Sequence, residues 1–178
     1  MAIEISWRCP PSPSAFSVGA VIVDRSVGAT ADASARVLAT GYSRELDPHD
    51  HAEEVALRRL AQLAWPDRPD PPDPLDRSDG PDSPDRADRA LPSGPPASGS
   101  SLTLYSSLEP CSARASRPRT CTEMIIEAGI RRVVFAWREP EVFVDCEGAE
   151  IMRRVGLDVV EVPGLAAAVR AVNAHLLT

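Results

Sequence analysis

From Pro66 to Ser101 the chain carries ten of its eighteen prolines and an aspartate at every third position from Asp67 to Asp88. Proline fixes φ and removes a backbone donor, and an acidic, proline-rich stretch has little apolar surface to offset the entropy of ordering. A threefold acid repeat would lie along one edge of a polyproline II helix. The favoured reading is a disordered, low-complexity insertion at about 66–101. It separates two elements of one fold, so the core has to be assembled from residues on both sides of it. The expectation is one domain, 1–178, with a surface loop cut into it.

A chain of 178 residues with 43% hydrophobic content can bury one α/β core and is short for two. No apolar run approaches the length of a membrane span. Met1 to Ile5 has neither a basic start nor an apolar stretch of the secretory kind, which makes the cytoplasm the default expectation. The net charge is −7 and all 19 basic residues are arginine. That balance argues against a broad nucleic-acid surface.

The flanking sequence alternates strand and helix. Ser17–Asp24 is a β-branched run, and Arg36–Tyr42 pairs with it after an Ala/Ser-rich connection. Ala52–Ala64 has apolar residues near helical spacing, with Glu54 and Arg58 at i, i+4. A strand begins at Leu102. A helix over Thr122–Ala128 ends at Gly129, and Arg132–Trp137 is the fourth strand. A helix over Ala149–Val155 ends at Gly156, Asp158–Val162 is the fifth strand, and Leu165–Leu177 is a closing amphipathic helix. This order implies a partly parallel sheet covered on both faces.

Chemistry concentrates in two places. His51-Ala52-Glu53 stands at a helix mouth, and Pro110-Cys111 is followed by Cys121. One imidazole and two thiolates suit Zn²⁺, with a fourth position left for water, and zinc brings that water's pKa to about 7. Glu53 is placed to take a proton from the water, pass it to a ring nitrogen, and later protonate the departing ammonia, as base and then as acid. His49 is a rival ligand, but only His51 has the histidine-x-glutamate spacing. Without those cysteines, Glu53 would read as a first-turn carboxylate complementing the helix dipole. Cys9 and Cys146 read as ordinary thiols.

These residues carry a resemblance. The chain is similar to the zinc-dependent cytidine deaminase superfamily over nearly all of its foldable part. Its second half resembles the pyrimidine deaminase of riboflavin biosynthesis, through Thr103-Leu104-Tyr105, Leu108-Glu109-Pro110-Cys111-Ser112, Cys121-Thr122 and Ile125-Ile126-Glu127-Ala128-Gly129-Ile130. Most relatives space the two cysteines by two residues. The riboflavin enzymes have a longer insert containing arginine and proline, and here nine residues intervene. The resemblance implies a three-layer α/β/α fold with a five-stranded mixed sheet, one Zn²⁺ per subunit, and a homo-oligomer. It also implies hydrolytic loss of ammonia from a diaminopyrimidinone ribosylamine 5′-phosphate. Arg114, Arg117 and Arg119 lie within the insert, and Arg117 aligns best with the arginine of the riboflavin-enzyme insert. A phosphorylated substrate would explain all three, Arg117 and Arg119 being the candidates for its phosphate, with a solvated lid as the alternative. The expectation is a stand-alone deaminase, the reductase of that pathway being a separate protein.

The first half departs from the riboflavin pattern. Ala15-Phe16 stands where an asparagine-proline pair is usual, and Ser43 where a polar substrate-facing residue is usual. Asp47-Pro48 and His51-Ala52-Glu53-Glu54 look more like general nucleobase or nucleoside deaminases. Phe16 is a candidate for stacking on a base, with a core or rim position as its alternative. The competing expectation is therefore a deaminase of cytosine, guanine, a deoxycytidine nucleotide or an antibiotic precursor. A tRNA substrate fits poorly with the acidic balance. An inactive, zinc-stabilised binding module is the non-enzymatic alternative.

Overall fold

The β-branched run before Asp24 forms a strand one place in from the edge of a five-stranded sheet. This is a computed structural model that describes residues 1–25, 35–64, 101–138 and 146–177. The expected insertion, apart from Ser101, and the Ala/Ser-rich connection at 26–34 lie outside the described residues. Strand β1 (Gly19–Asp24) pairs antiparallel with both β2 (Arg36–Tyr42) and β3 (Leu102–Leu108). From β3 the sheet continues in parallel to β4 (Arg132–Trp137) and β5 (Asp158–Glu161), giving the order β2-β1-β3-β4-β5. Parallel neighbours need a crossover between them. Helices α3 (Cys121–Glu127) and α4 (Gly148–Arg154) provide it.

Alternate side chains of β1 part to opposite faces. Ala20 and Ile22 enter the larger core with Ala52 and Ala56 of α2 (Ala52–Ala64), Ile125 of α3 and Met152 of α4. Val21 and Val23 pack instead with Ile5 of α1 (Ala2–Ser6), which also touches α5 (Ala166–Val172). The result is the three-layer α/β/α arrangement with a mixed sheet. Gly129 and Gly156 stand just past α3 and α4 with φ of 70° and 89°, as the expected helix stops require. At Gly41 a Cβ would lie 2.4 Å from Ala52 O and 2.7 Å from Ala56 N. Only glycine lets α2 lie this close to β2, and that closeness sets the height of His51 and Glu53 above the sheet.

Ala2–Ser6, on which the sequence carried no structural expectation, is a short helix whose Ile5 packs against Val21 and Val23 of β1. One expectation changes: the closing helix does not run unbroken from Leu165 to Leu177. Pro163–Leu165 and Ala174–Leu176 are 3₁₀ turns on either side of α5. The break falls at Asn173, which is wholly buried. Its Oδ1 accepts from Ser17 N at 2.6 Å, and its Nδ2 donates to Ser17 O at 3.2 Å and Val169 O at 3.1 Å. The amide thus binds the backbone that leads into β1.

Candidate active site

At one end of the sheet β3 runs into Leu108-Glu109-Pro110-Cys111, and the turn after β2 runs into α2. His51 immediately precedes α2, its carbonyl accepting from Val55 N at 3.1 Å. Cys121 opens α3 after a capping box. Thr120 Oγ1 accepts from Glu123 N at 3.2 Å, and Glu123 Oε2 accepts from Thr120 N at 2.8 Å. The Cys121 amide donates to Cys111 Sγ at 3.4 Å. Sheet end, helix start and capped loop therefore converge on one point.

There, ligand atoms of His51, Cys111 and Cys121 all lie within 4.8 Å of one another. His51 Nδ1 is 3.5 Å from Cys111 Sγ and 3.4 Å from Cys121 Sγ. A tetrahedral site with Zn–S of about 2.3 Å and Zn–N of about 2.0–2.1 Å has an N···S edge of about 3.5 Å. The side chains present fit one zinc ion. His49, the rival ligand, turns away, its Nδ1 3.3 Å from Asp47 Oδ1. Among the described residues Cys9 and Cys146 form no disulfide and lie outside the metal set.

Glu53 is 3% exposed. Its Oε1 accepts from Ser106 Oγ at 2.6 Å, and its Oε2 lies 3.5 Å from Cys121 Sγ, on the rim of the metal set. Burial raises the Glu53 pKa, while the Ser106 hydrogen bond and the positive charge of His51 pull it back. The hydrogen bond between the two thiols pulls the Cys111 pKa down to about 4, and the same bond, with burial, pushes that of Cys121 up. One sulfur of the pair is therefore poised as a thiolate.

The other four predicted residues are held by the chain itself. Arg117 is buried, with Nη2 3.1 Å from Asp47 Oδ1 and 3.2 Å from Asp50 Oδ1, and Nε 3.6 Å from Glu54 Oε1. Arg119 pairs with Glu127. Ser43 bridges to Val18, its Oγ accepting from Val18 N at 3.2 Å. Phe16 meets Trp137 edge to face, with ring centroids 5.8 Å apart. Phe16 and Ser43 share the sheet end that holds the metal set, because β1 begins where β2 and β3 finish.

Sequence reasoning passed over Ser106, read Asp50 only as part of a turn at the helix start, and took Arg114 as one more arginine of the loop between the cysteines. Ser106 lies on the same face as Ala20 and Leu104, a signal that the alternation of β3 carried, but its partner stands 53 positions away. Asp50 adjoins His51 and is 1% exposed.

The chain belongs to the family described as the cytidine and deoxycytidylate deaminase zinc-binding region, whose model matches residues 1–137. Within it, several of the similar proteins are named for riboflavin biosynthesis. The diaminohydroxyphosphoribosylamino-pyrimidine deaminase of Schizosaccharomyces pombe is 31% identical over 160 residues, covering 90% of this chain and 30% of that protein. The riboflavin biosynthesis protein RibD of Aquifex aeolicus is 42% identical over 57 residues, 32% of this chain and 16% of that one. Among solved structures, the Rib2 deaminase of Aspergillus oryzae superposes with a TM-score of 0.66 at 27% identity, covering 96% of this chain and 85% of that chain. The same enzyme in complex with DARIPP gives 0.63 at 25% identity, with 99% of this chain and 92% of that chain covered. The chain spans under a third of the length of the curated relatives it matches.

Proposed function

We propose that this chain is a zinc-dependent hydrolytic deaminase acting on the diaminopyrimidinone ribosylamine 5′-phosphate of riboflavin biosynthesis. The carrying observation is Glu53: a buried carboxylate with one oxygen fixed by Ser106 and the other bordering the His51, Cys111 and Cys121 set. The similarity to the Schizosaccharomyces and Aspergillus deaminases supports the substrate.

When bound, zinc supplies an acidified water and polarises the reacting carbon's surroundings. His51, Cys111 and Cys121 would hold it. Glu53 takes one proton of the water through Oε2 and passes it to the ring nitrogen. It then takes the second proton from the hydroxyl added to the ring carbon and passes it to the amine, which leaves as ammonia. Ser106 keeps Oε1 in place throughout. The upward pull of burial on its pKa lets one carboxyl serve in both directions.

Deamination of another base or nucleotide is the second reading. The observation that favours it is the engagement of Arg117 with Asp47, Asp50 and Glu54, and of Arg119 with Glu127. A phosphate at Arg117 would compete with three carboxylates. Mass-spectrometric detection of deamination decides between them, with the ribotide, its dephosphorylated form, cytosine, guanine and deoxycytidine monophosphate as substrates. Turnover that requires the ribotide phosphate supports the first reading, and turnover of another base alone replaces it with the second.

Three further expectations belong to this reading. The domain is single, with an insertion at about 66–101. The protein is a homo-oligomer, which light scattering on the purified chain measures directly. It works in the cytoplasm, where the two cysteines of the metal set stay reduced. Among the described residues no helix is long and apolar enough to cross a membrane.

A further inference from the structure

The loop between the two cysteines is fastened to the entry of α2 by buried arginines. The Arg114 side chain is 3% exposed. Its Nη2 donates to His49 O at 2.7 Å and its Nη1 to Glu54 Oε2 at 3.0 Å. Those acceptors lie on either side of His51 and Glu53 in the sequence, while Arg114 itself is three residues after Cys111. Arg117, four residues before Cys121, donates to Asp47 and Asp50. Arg58 from α2 completes the cluster, reaching Asp50 Oδ1 at 3.4 Å and Glu54 Oε1 at 3.3 Å. Three guanidinium groups thus face the carboxylates of Asp47, Asp50 and Glu54, and the charges balance.

We infer that Arg114 and Arg117 are positioning residues that preassemble the metal centre by clamping the Cys111–Cys121 loop onto the segment bearing His51. A nine-residue loop between two ligands costs entropy when the ion has to order it. A loop already tied at two points to the third ligand's backbone has spent that entropy in folding. Arginine suits the task because its planar fork reaches two acceptors on different elements at once, which a lysine ammonium does not. None of the bonds Arg114 makes goes to a metal-ligand atom, so it acts through backbone placement. The inference concerns metal retention and stands apart from the identity of the substrate.

The test compares parent protein with Arg114→Lys, Arg114→Ala and Arg117→Ala, with Arg132→Ala, at the start of β4 and the opposite end of the sheet from the metal set, as a control. Zinc affinity is read by competition with a chromophoric chelator, zinc loss by transfer to EDTA, and ligand geometry by the visible spectrum of the Co²⁺-substituted protein. Arg114→Lys keeps the charge and loses the two-point bridge. It should bind zinc about tenfold more weakly, in line with the loss of an outer partner at a metal site, with faster loss to EDTA and altered cobalt bands. Arg132→Ala should match the parent. If the alanine variants fail to fold by circular dichroism, the lysine variant decides alone. Parent-like zinc affinity, loss rate and cobalt spectrum in Arg114→Lys overturn the inference, whether or not its melting temperature falls.

Discussion

Replacing Ser106 with Ala removes the hydroxyl that donates to Glu53 Oε1 at 2.6 Å. Glu53 is 3% exposed, so bulk water has no ready access to the vacated position. A hydrogen bond to a charged group contributes about 1.5–3 kcal/mol net. One tenfold change in rate corresponds to about 1.4 kcal/mol. If the bond acts fully on the step in which Glu53 moves a proton, kcat falls about 10- to 100-fold. The same substitution removes an influence that lowers the Glu53 pKa against the effect of burial. The carboxyl then titrates still higher, and the acid limb of the pH–rate profile moves to higher pH. Zinc content should stay at one ion per chain, because the Ser106 hydroxyl bonds the carboxylate and not the metal set. Ammonia release from the ribotide, followed across pH with zinc measured by plasma mass spectrometry, supplies both readings. A variant with kcat within a factor of two of the parent and an unmoved acid limb would refute the role given to Ser106.

Glu53→Ala should abolish turnover, at least 100-fold below the parent, while native mass spectrometry still finds zinc bound; full activity would sink the proton-transfer assignment. Gly41→Ala places a methyl group 2.4 Å from Ala52 O. It should cost about 1–3 kcal/mol in urea unfolding and lower zinc occupancy as α2 is displaced. The Asp47 pKa is lowered chiefly by the hydrogen bond from His49 N, which with the nearby charge of Arg117 outweighs the upward effect of desolvation. A depressed acid stabilises the fold above its unfolded pKa and loses that contribution as pH falls through its folded value. Asp47→Asn should therefore be less stable than the parent at neutral pH, and the gap in melting temperature should close under acid conditions below pH 4 or so. Deleting residues 67–98 should leave turnover and zinc binding nearly unchanged if that stretch is a surface insertion, and loss of zinc would count against it.

The metal ligands were legible because their chemistry is local. His51 and Glu53 stand two residues apart, and Cys111 and Cys121 stand beside Pro110 and Thr120, in sequence that no core cysteine would need. The strands were legible for the same reason: Val21-Ile22-Val23 and Val133-Val134-Phe135 are apolar runs bounded by turns, and Gly129 and Gly156 mark helix ends. Residues that take their role from a distant partner were not. Asp50 looks like one more turn acid until Arg117, 67 positions later, meets it in a buried pair. Asn173 looks like a helix residue until Ser17, 156 positions earlier, binds its amide and ends α5. Arg117 shows the limit most sharply. The sequence places a guanidinium in the right loop, but whether it is offered to a ligand or taken up by carboxylates depends on Asp47 and Asp50 folding beneath it.

The site is thus held in two separable ways. Glu53 is oriented by the sheet, through Ser106 on β3, whose position is fixed by backbone pairing with Ala20 on one side and Phe135 on the other. The cysteine loop is oriented by ion pairs, through Arg114 and Arg117 to Asp47, Asp50 and Glu54. Sheet hydrogen bonds respond little to salt, whereas ion pairs weaken with screening to the degree that they are exposed. The Asp47 side chain is 39% exposed and that of Asp50 is fully buried, so only the outer part of the cluster is open to salt. Perturbing the sheet contact should change turnover at constant zinc. Perturbing the inner ion pairs should change zinc at near-constant chemistry per loaded site. A double variant, Ser106→Ala with Arg114→Lys, should then show additive losses in the logarithm of activity, because the two side chains share no bonding partner: Ser106 bonds Glu53 and Arg114 bonds Glu54 and His49. Strong non-additivity would mean that loop and carboxylate move as one unit, and that the two supports are not independent.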